Sequence, residues 1–348
     1  MHTYLPILEA FVKLGNLITD FCENCYSNDF KGDVDFKEAV EKAEQQNGWF
    51  TQGNILFALG QWSSLLTREK LIQWLSNYDL SAEHAPKTIG IVMAGNIPLV
   101  GFHDFLCVLM SGNKVLAKLS SNDKVLLPFL AKYLIQQEPQ LKDRISFTEG
   151  KFEDFDAVIA TGSNNTGRYF EYYFGKKPNI IRKNRNSVAI LTGTESKEQL
   201  IALGEDIFRY FGLGCRNVSK IFVPEGYAFE PLFNALFAFK DSIVHHKYAN
   251  NYDYNKAVYL MSDFKILDNG FLMLKKDEGF SSPIATLFYS HYDSENDLRR
   301  KLESQKEHIQ CIVSHGKNKD DIPFGETQKP KLLDYADGMD TMDFLLKI

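Results

Sequence analysis

The chain has 348 residues, 44% of them hydrophobic and 24% charged, and its 39 Lys and Arg against 45 Asp and Glu leave a formal net charge of −6. A length of about two domains with this balance describes a globular protein able to bury a sizeable core, not a disordered chain. The acidic balance and the lack of a lysine-rich tract argue against general nucleic-acid or anionic-membrane binding, and five scattered Cys point to reduced thiols in a cytoplasm and not to a disulfide framework.

The first segment, MHTYLPILEAFVKLGNLITDF, lacks the positive n-region, continuous apolar h-region and small-residue cleavage site of a signal peptide. No apolar run approaches the ~18–20 residues that cross a bilayer. A cytoplasmic protein with no membrane span is therefore expected. Residues 1–85 read as helices, carried by FKEAVEKAEQQ, the run around NILFALGQW, and TREKLIQWLSNYDL with Thr67 as N-cap and Glu69 in its first turn. After Pro86 the pattern changes. TIGIVMAGN (88–96) reads as a strand, and Pro98 stands at a plausible first helical position before an apolar helix down to Ser111-Gly112-Asn113. The unit recurs as KVLAKL (114–119) with a helix over 123–137, FDAVIAT (155–161) with one near TGRYFEYYFG, and NSVAIL (186–191) with one over 196–211. Strands alternating with helices imply βαβ units and a parallel sheet. A second block of SKIFVP (219–224), a helix over 230–239, PIATLFY (283–289), a helix over 295–304 and IQCIVSH (309–315) is also α/β. A boundary is expected near LTGTE (191–195), and the tail from Asp321 carries Gly and Pro early and apolar residues late, as a segment returning to the core would.

FGLGCRN (211–217) comes close to a dinucleotide glycine fingerprint, but that motif needs a strand before the glycines and a helix after them. Here a helix precedes and a strand follows. Two glycines beside Cys215 instead leave a thiol and its backbone N–H accessible to a substrate carbonyl, as nucleophilic catalysis requires. The same residues also read as a helix C-cap with a structural Cys. Cys22 and Cys25 form a Cys-x-x-Cys without a second pair at metal spacing, Cys107 and Cys311 sit in apolar runs, and the eight His, including His103 beside Asp104 and the pair His245-His246, show no helical zinc spacing. No metal site is expected. Gly-x-Ser-x-Gly and Walker A patterns are also missing from the sequence.

AGNIPLVGFHDFLCVLMSGNKVLAKLSS (94–121), ATGSNNTG (160–167), GLGCRNVSKIFVP (212–224) and PFGETQKP (323–330) resemble, in this order, segments of the aldehyde dehydrogenase superfamily. With RKNRNSVAIL and DYADGMDTMDFL they are more similar still to its acyl-CoA reductase branch, typified by the LuxC-like fatty acyl reductase of bacterial luminescence. The resemblance runs from Lys87 to the C-terminus. It implies an α/β fold of aldehyde dehydrogenase type: a helical N-terminus, a Rossmann-like parallel-sheet cofactor domain and a second α/β catalytic domain. The expected division is residues 1–190 for the helices and NAD(P)-binding domain, 191–324 for the cysteine domain and 325–348 for a tail packing back on the core.

The resemblance further implies that Cys215 is the nucleophile and that Asn96 and the Cys215 N–H receive the oxyanion. It assigns Lys118 to the adenosine ribose and Thr161, Gly162 and Ser163 to the dinucleotide path. The Glu that activates water in many hydrolytic members aligns with Arg182, which favours a thiol such as CoA as acyl partner. Where the family ends Lys-Pro-Ser-Glu, this chain has Ser121, which does not repel a ribose 2′-phosphate as a carboxylate would. NADPH is thus the expected cofactor, with NAD possible. Glu278-Gly-Phe-Ser-Ser-Pro283 is one residue longer than the family's Glu-x-Phe-Gly-Pro, which leaves the role of Glu278 open. Arg182, Lys183 and Arg185 are candidates to hold a phosphate of CoA or NADPH, or else form a solvated strand end. The expected activity is NADPH-dependent reduction of an acyl-CoA or other acyl thioester to an aldehyde through a cysteine acyl-enzyme. The expected partners include a second copy of the chain or an acyl-supplying enzyme. A cysteine acyltransferase or thioesterase without hydride transfer, and a non-catalytic subunit on the same scaffold, are the alternatives.

Overall fold

A computed structural model describes residues 4–25, 33–81, 85–316 and 318–348. The chain divides into two compact units, Met1–Lys183 with Lys331–Ile348, and Asn184–Pro330.

In the first unit, α1 (Leu5–Asn24), α2 (Val34–Gln46), α3 (Gln52–Leu65) and α4 (Arg68–Leu75) precede the sheet. On α1 the residues Ile7, Leu8, Phe11, Leu14, Ile18 and Phe21 recur at helical spacing and are all buried, each such side chain contributing about 1.5–3 kcal/mol. Thr67 caps α4 by accepting the Lys70 N–H at 3.3 Å, with Glu69 in the first turn. The strands β1 (Thr88–Val92), β2 (Lys114–Lys118), β3 (Ile145–Phe147), β4 (Ala157–Thr161) and β5 (Asn179–Arg182) form a sheet of order β3-β2-β1-β4-β5, every neighbouring pair parallel. α5 (Phe102–Met110), α6 (Leu126–Gln137) and α7 (Asn164–Phe174) fill the connections after β1, β2 and β4. The passage from β3 to β4 holds no helix among the described residues. There Phe152 lies against Gly90 of β1 so closely that a Cβ on Gly90 would sit 2.7 Å from its ring. The strand order turns back between β1 and β4, the switch point at which open α/β sheets bind ligands beyond their carboxyl ends.

The second unit comprises β6 (Asn186–Ile190), α8 (Lys197–Phe208), β7 (Val218–Pro224), α9 (Glu230–Leu236), α10 (His246–Met261), β8 (Ile266–Asp268), β9 (Met273–Lys276), β10 (Thr286–Tyr292), α11 (Glu295–Ser304) and β11 (Ile309–Val313). Its sheet has the order β11-β6-β7-β10-β9-β8, parallel except for the β8–β9 pair. Ser196 and Gln199 form a capping box at the start of α8. The chain then returns to the first unit, where α12 (Thr341–Lys347) buries Met342 and Leu345, and Tyr335 accepts the indole N–H of Trp74 at 2.7 Å.

Several boundaries depart from the sequence pattern. Pro98 does not open a helix: Leu99 takes φ 58°, its N–H reaching Asp123 Oδ2 at 3.4 Å, and α5 begins only at Phe102. The strand expected at 283–289 starts at Thr286, because Ala285 at φ 61° closes a turn in which the Thr286 N–H meets the Pro283 carbonyl. The helix expected to reach Phe211 stops at Phe208, since Tyr210 and Phe211 adopt left-handed conformations. β3 and β5 are too short to show a period, and α10 carries polar residues on every side, so neither pattern announces them.

Candidate active site

In the first unit, the residues assigned to the cofactor lie at the carboxyl ends of β2 and β4, the two strands that flank β1. Lys118 of β2 stands opposite Val92 of β1, which stands opposite Ala160 of β4. Thr161 ends β4, Gly162 donates its N–H to the Arg182 carbonyl at 3.2 Å, and Ser163 caps α7 by accepting the Thr166 N–H at 3.2 Å. A helix N-terminus at a switch point, with two hydroxyls and an ammonium beside it, is a donor set that fits the phosphates and ribose of a dinucleotide. Lys118 Nζ donates to the Gly150 carbonyl at 2.9 Å, so a ribose would have to share that ammonium. Asn96 and Ser121 are exposed, in the loops that follow β1 and β2. Asp123 lies beyond Ser121, its Oδ1 buried without a hydrogen-bond partner and its carboxyl pushed up to about 6 by burial.

In the second unit, Cys215 is half-buried in the passage from α8 to β7. Tyr210, Phe211, Gly212 and Gly214 take φ of 55°, 58°, 82° and 97°, so the chain reaches the cysteine through four left-handed residues, two of them aromatic. Such strain persists only where surrounding contacts over-determine the backbone. The Phe211 ring stacks on His245 at 4.1 Å between centroids. Asn217 donates to the Asp206 and Ile207 carbonyls at 3.1 and 2.6 Å, satisfying the end of α8 that the abrupt stop exposes. Ser187 of β6 donates its hydroxyl to the Cys215 carbonyl at 3.1 Å.

The turn at Phe324-Gly325, in PFGETQKP, is tied to the same helix. Asp206 accepts the Gly325 N–H at 2.7 Å and the Thr327 N–H and hydroxyl at 3.0 and 2.8 Å. Burial pushes its carboxyl from 3.8 up to about 6, against these hydrogen bonds, which favour the charged form. A carboxyl raised in the folded state holds its proton where the unfolded chain has released it. Its contribution to stability is therefore greatest at low pH and is lost as pH rises through about 6. Thermal melts of Asp206→Asn and the parent between pH 4 and 7.5 should show the parent's advantage shrinking with pH; a constant difference would remove this assignment.

The cationic run 182–185 is divided, with Arg182 turned into the core and Lys183 and Arg185 at the surface. Arg182 is buried, and its guanidinium binds both oxygens of Asp104 on α5, at 2.5 and 2.9 Å, and the Thr341 hydroxyl at 3.1 Å. Lys183 pairs with Glu171 at 2.7 Å, and Arg185 reaches the Lys306 carbonyl at 3.4 Å. Each cation is held by its own neighbours. Glu278 receives Lys301 at 2.8 Å and the Ser290 hydroxyl at 3.2 Å. Of the other cysteines, Cys25, Cys107 and Cys311 are buried, and burial pushes the Cys22 thiol up to about 11.

The supporting residues Ser187, Asp206 and Asn217 were not anticipated. Asp206 did leave a trace: it occupies the buried face of α8 with Leu203 and Ile207, where a carboxylate needs partners. Among the described residues, no group of His, Cys, Asp and Glu could hold a metal ion, and no helix is long and apolar enough to cross a membrane.

The fold resembles solved aldehyde dehydrogenases. The NAD+ complex of the Bacillus cereus enzyme matches with a TM-score of 0.63 at 15% identity, covering 91% of this chain and 72% of that one. The NAD-dependent enzyme of Sinorhizobium meliloti matches at 0.64 and 12%, covering 92% and 71%, and KauB of Pseudomonas aeruginosa at 0.62 and 12%, covering 89% and 72%. These likenesses establish the fold. No curated protein sequence gives a significant match. The family model described as acyl-CoA reductase (LuxC) matches residues 8–322, nearly the whole length, and the chain therefore belongs to the LuxC acyl-CoA reductase family, built on the aldehyde dehydrogenase fold.

Proposed function

We propose that this chain reduces an acyl-CoA to the aldehyde with NADPH, through a thioester on Cys215. The observation that carries this reading is the state of Arg182. Where the resemblance puts a water-activating Glu, the chain has a buried guanidinium already committed to Asp104. Without a carboxylate base at that position, a thiol is the natural partner of the acyl group.

In this mechanism the Cys215 thiolate attacks the thioester carbonyl and CoA departs as its thiolate, which takes up a proton. When bound, NADPH supplies the hydride. Cys215 is then released as the thiolate when the carbonyl re-forms as aldehyde, so the net reaction consumes one proton. The strained approach to Cys215, with its carbonyl fixed by Ser187, supports a thiol held in one place. Asn96 and the Cys215 N–H are assigned to the oxyanion, and Lys118, Thr161, Gly162 and Ser163 to the dinucleotide. Ser121 is exposed and carries no charge to oppose a 2′-phosphate, which supports NADPH over NADH.

Acyl-CoAs of increasing chain length, each supplied with NADPH and NADH side by side, test the proposal. NADPH oxidation matched by aldehyde release is the expected result. Release of CoA without NADPH oxidation would point to acyl transfer without hydride on the same cysteine.

A further inference from the structure

In the first unit, the loop that follows β1 lies at the switch point, and the loop that follows β2 lies beside it, next to Lys118. The ladder between the two strands ends where the Met93 N–H meets the Lys118 carbonyl at 3.0 Å. Past that point side chains make the ties. The principal one comes from Asn47, which lies upstream of every segment assigned to the site. Asn47 is the C-cap of α2 and is 6% exposed; its N–H bonds to the Ala43 carbonyl, and its own carbonyl accepts the Phe50 N–H at 2.8 Å. The side-chain oxygen accepts the Trp49 N–H at 3.0 Å, which settles the orientation of the amide. Nδ2 then donates to the Gly95 carbonyl at 3.1 Å and to the Asn122 carbonyl at 3.2 Å. One buried amide thus joins the loop after β1 to the loop after β2 and uses both of its hydrogens to do so. Two further contacts join the same pair. Asp123 Oδ2 receives the Leu99 N–H at 3.4 Å, and a Cβ on Gly95 would lie 2.5 Å from the Ser120 Cβ. Leu99 stays at φ 58° only because its surroundings over-determine it.

We propose that Asn47 is a positioning residue of the dinucleotide site, setting the spacing of the loops after β1 and β2. The N-terminal helices carry no residue assigned to the cofactor, yet through Asn47 they hold the site in its binding form. The inference rests on the NADPH reading above and adds the residue that pre-organises the first-unit site. Apparent affinity falls in proportion to the fraction of protein in the binding-competent state. Without the two hydrogen bonds from Asn47, the strained segment around Leu99 is free to relax, and that fraction drops.

Nicotinamide fluorescence of the full-length protein titrated with NADPH reads this fraction without turnover. Asn47→Ala should weaken NADPH about tenfold, the scale of one or two neutral hydrogen bonds. Asn47→Asp keeps an oxygen for the Trp49 N–H but has no hydrogen to donate at neutral pH, and it should lose at least as much. Gly95→Ala approaches the junction from the other side, pressing the loops apart at Ser120, and should also weaken NADPH. Gly95→Ala/Ser120→Gly removes the opposing atoms and should recover most of that loss. Asn47→Ala/Gly95→Ala should lose less than the two single losses combined, because both changes act on one spacing. If Asn47→Ala does not fold, Gly95→Ala and its Ser120→Gly rescue carry the test. Parent affinity in a folded Asn47 variant, or a Gly95→Ala loss that Ser120→Gly leaves in place, would overturn the inference alone. A parent that binds no NADPH would overturn the cofactor reading and this inference with it.

Discussion

Cys215→Ala should lower aldehyde formation from acyl-CoA on the order of 10³-fold or more, the loss typical of removing a covalent nucleophile. The same variant should bind NADPH as the parent does, since it deletes one sulfur from a loop held by other residues. Asn217, Ser187 and the Phe211–His245 stack secure that loop without using the Cys215 side chain. Loss of turnover with cofactor affinity intact would therefore separate a missing nucleophile from a collapsed site. Mass spectrometry supplies the complementary measurement: the parent mixed with acyl-CoA and no reductant should carry one acyl group on the peptide containing Cys215. Parent-like turnover in the alanine variant would sink the acyl-enzyme mechanism.

The second large effect is on stability. Arg182→Met should cost about 3–5 kcal/mol, because it leaves the Asp104 carboxylate buried without its cation. Both side chains are nearly inaccessible, at 7% and 6% exposure, so solvent does little to screen the pair. The loss should appear in urea denaturation as a lower midpoint with an unchanged slope. Arg182→Met/Asp104→Leu should recover most of it, since two apolar groups leave no charge unpaired. A single variant within about 1 kcal/mol of the parent would show that water reaches Asp104, and the account of this core would have to change. The Thr341 hydroxyl shares the guanidinium, so the returning C-terminal segment should loosen with it.

The elements that were legible in advance are those specified by near neighbours. Thr67 and Ser196 each cap a helix with the backbone N–H three residues on, and that signal is complete within a few positions. The alternation of apolar strands and helices likewise reports the parallel sheets, because strands buried on both faces need continuous apolar runs. The candidate nucleophile was visible as a cysteine among glycines between a helix and a strand. Its left-handed approach was not, because Tyr210 and Phe211 have no local preference for φ near +55°. Tertiary contacts impose that conformation.

The cation run shows the same limit from the other side. Three basic residues in four positions look like an anion site in a string, yet Arg182 is directed inward to an aspartate 78 positions earlier. Sequence by itself determined the α/β class, the family and the order of the elements, and it nominated Cys215 as a candidate, all of which rest on local periodicity, capping and motif order. Only the tertiary structure decided that Arg182 belongs to the core and that Asp206 binds the Phe-Gly turn. The physical reason is that a buried charge acquires its role from its partners, and those partners lie dozens of residues away, brought near by the folding of the sheets.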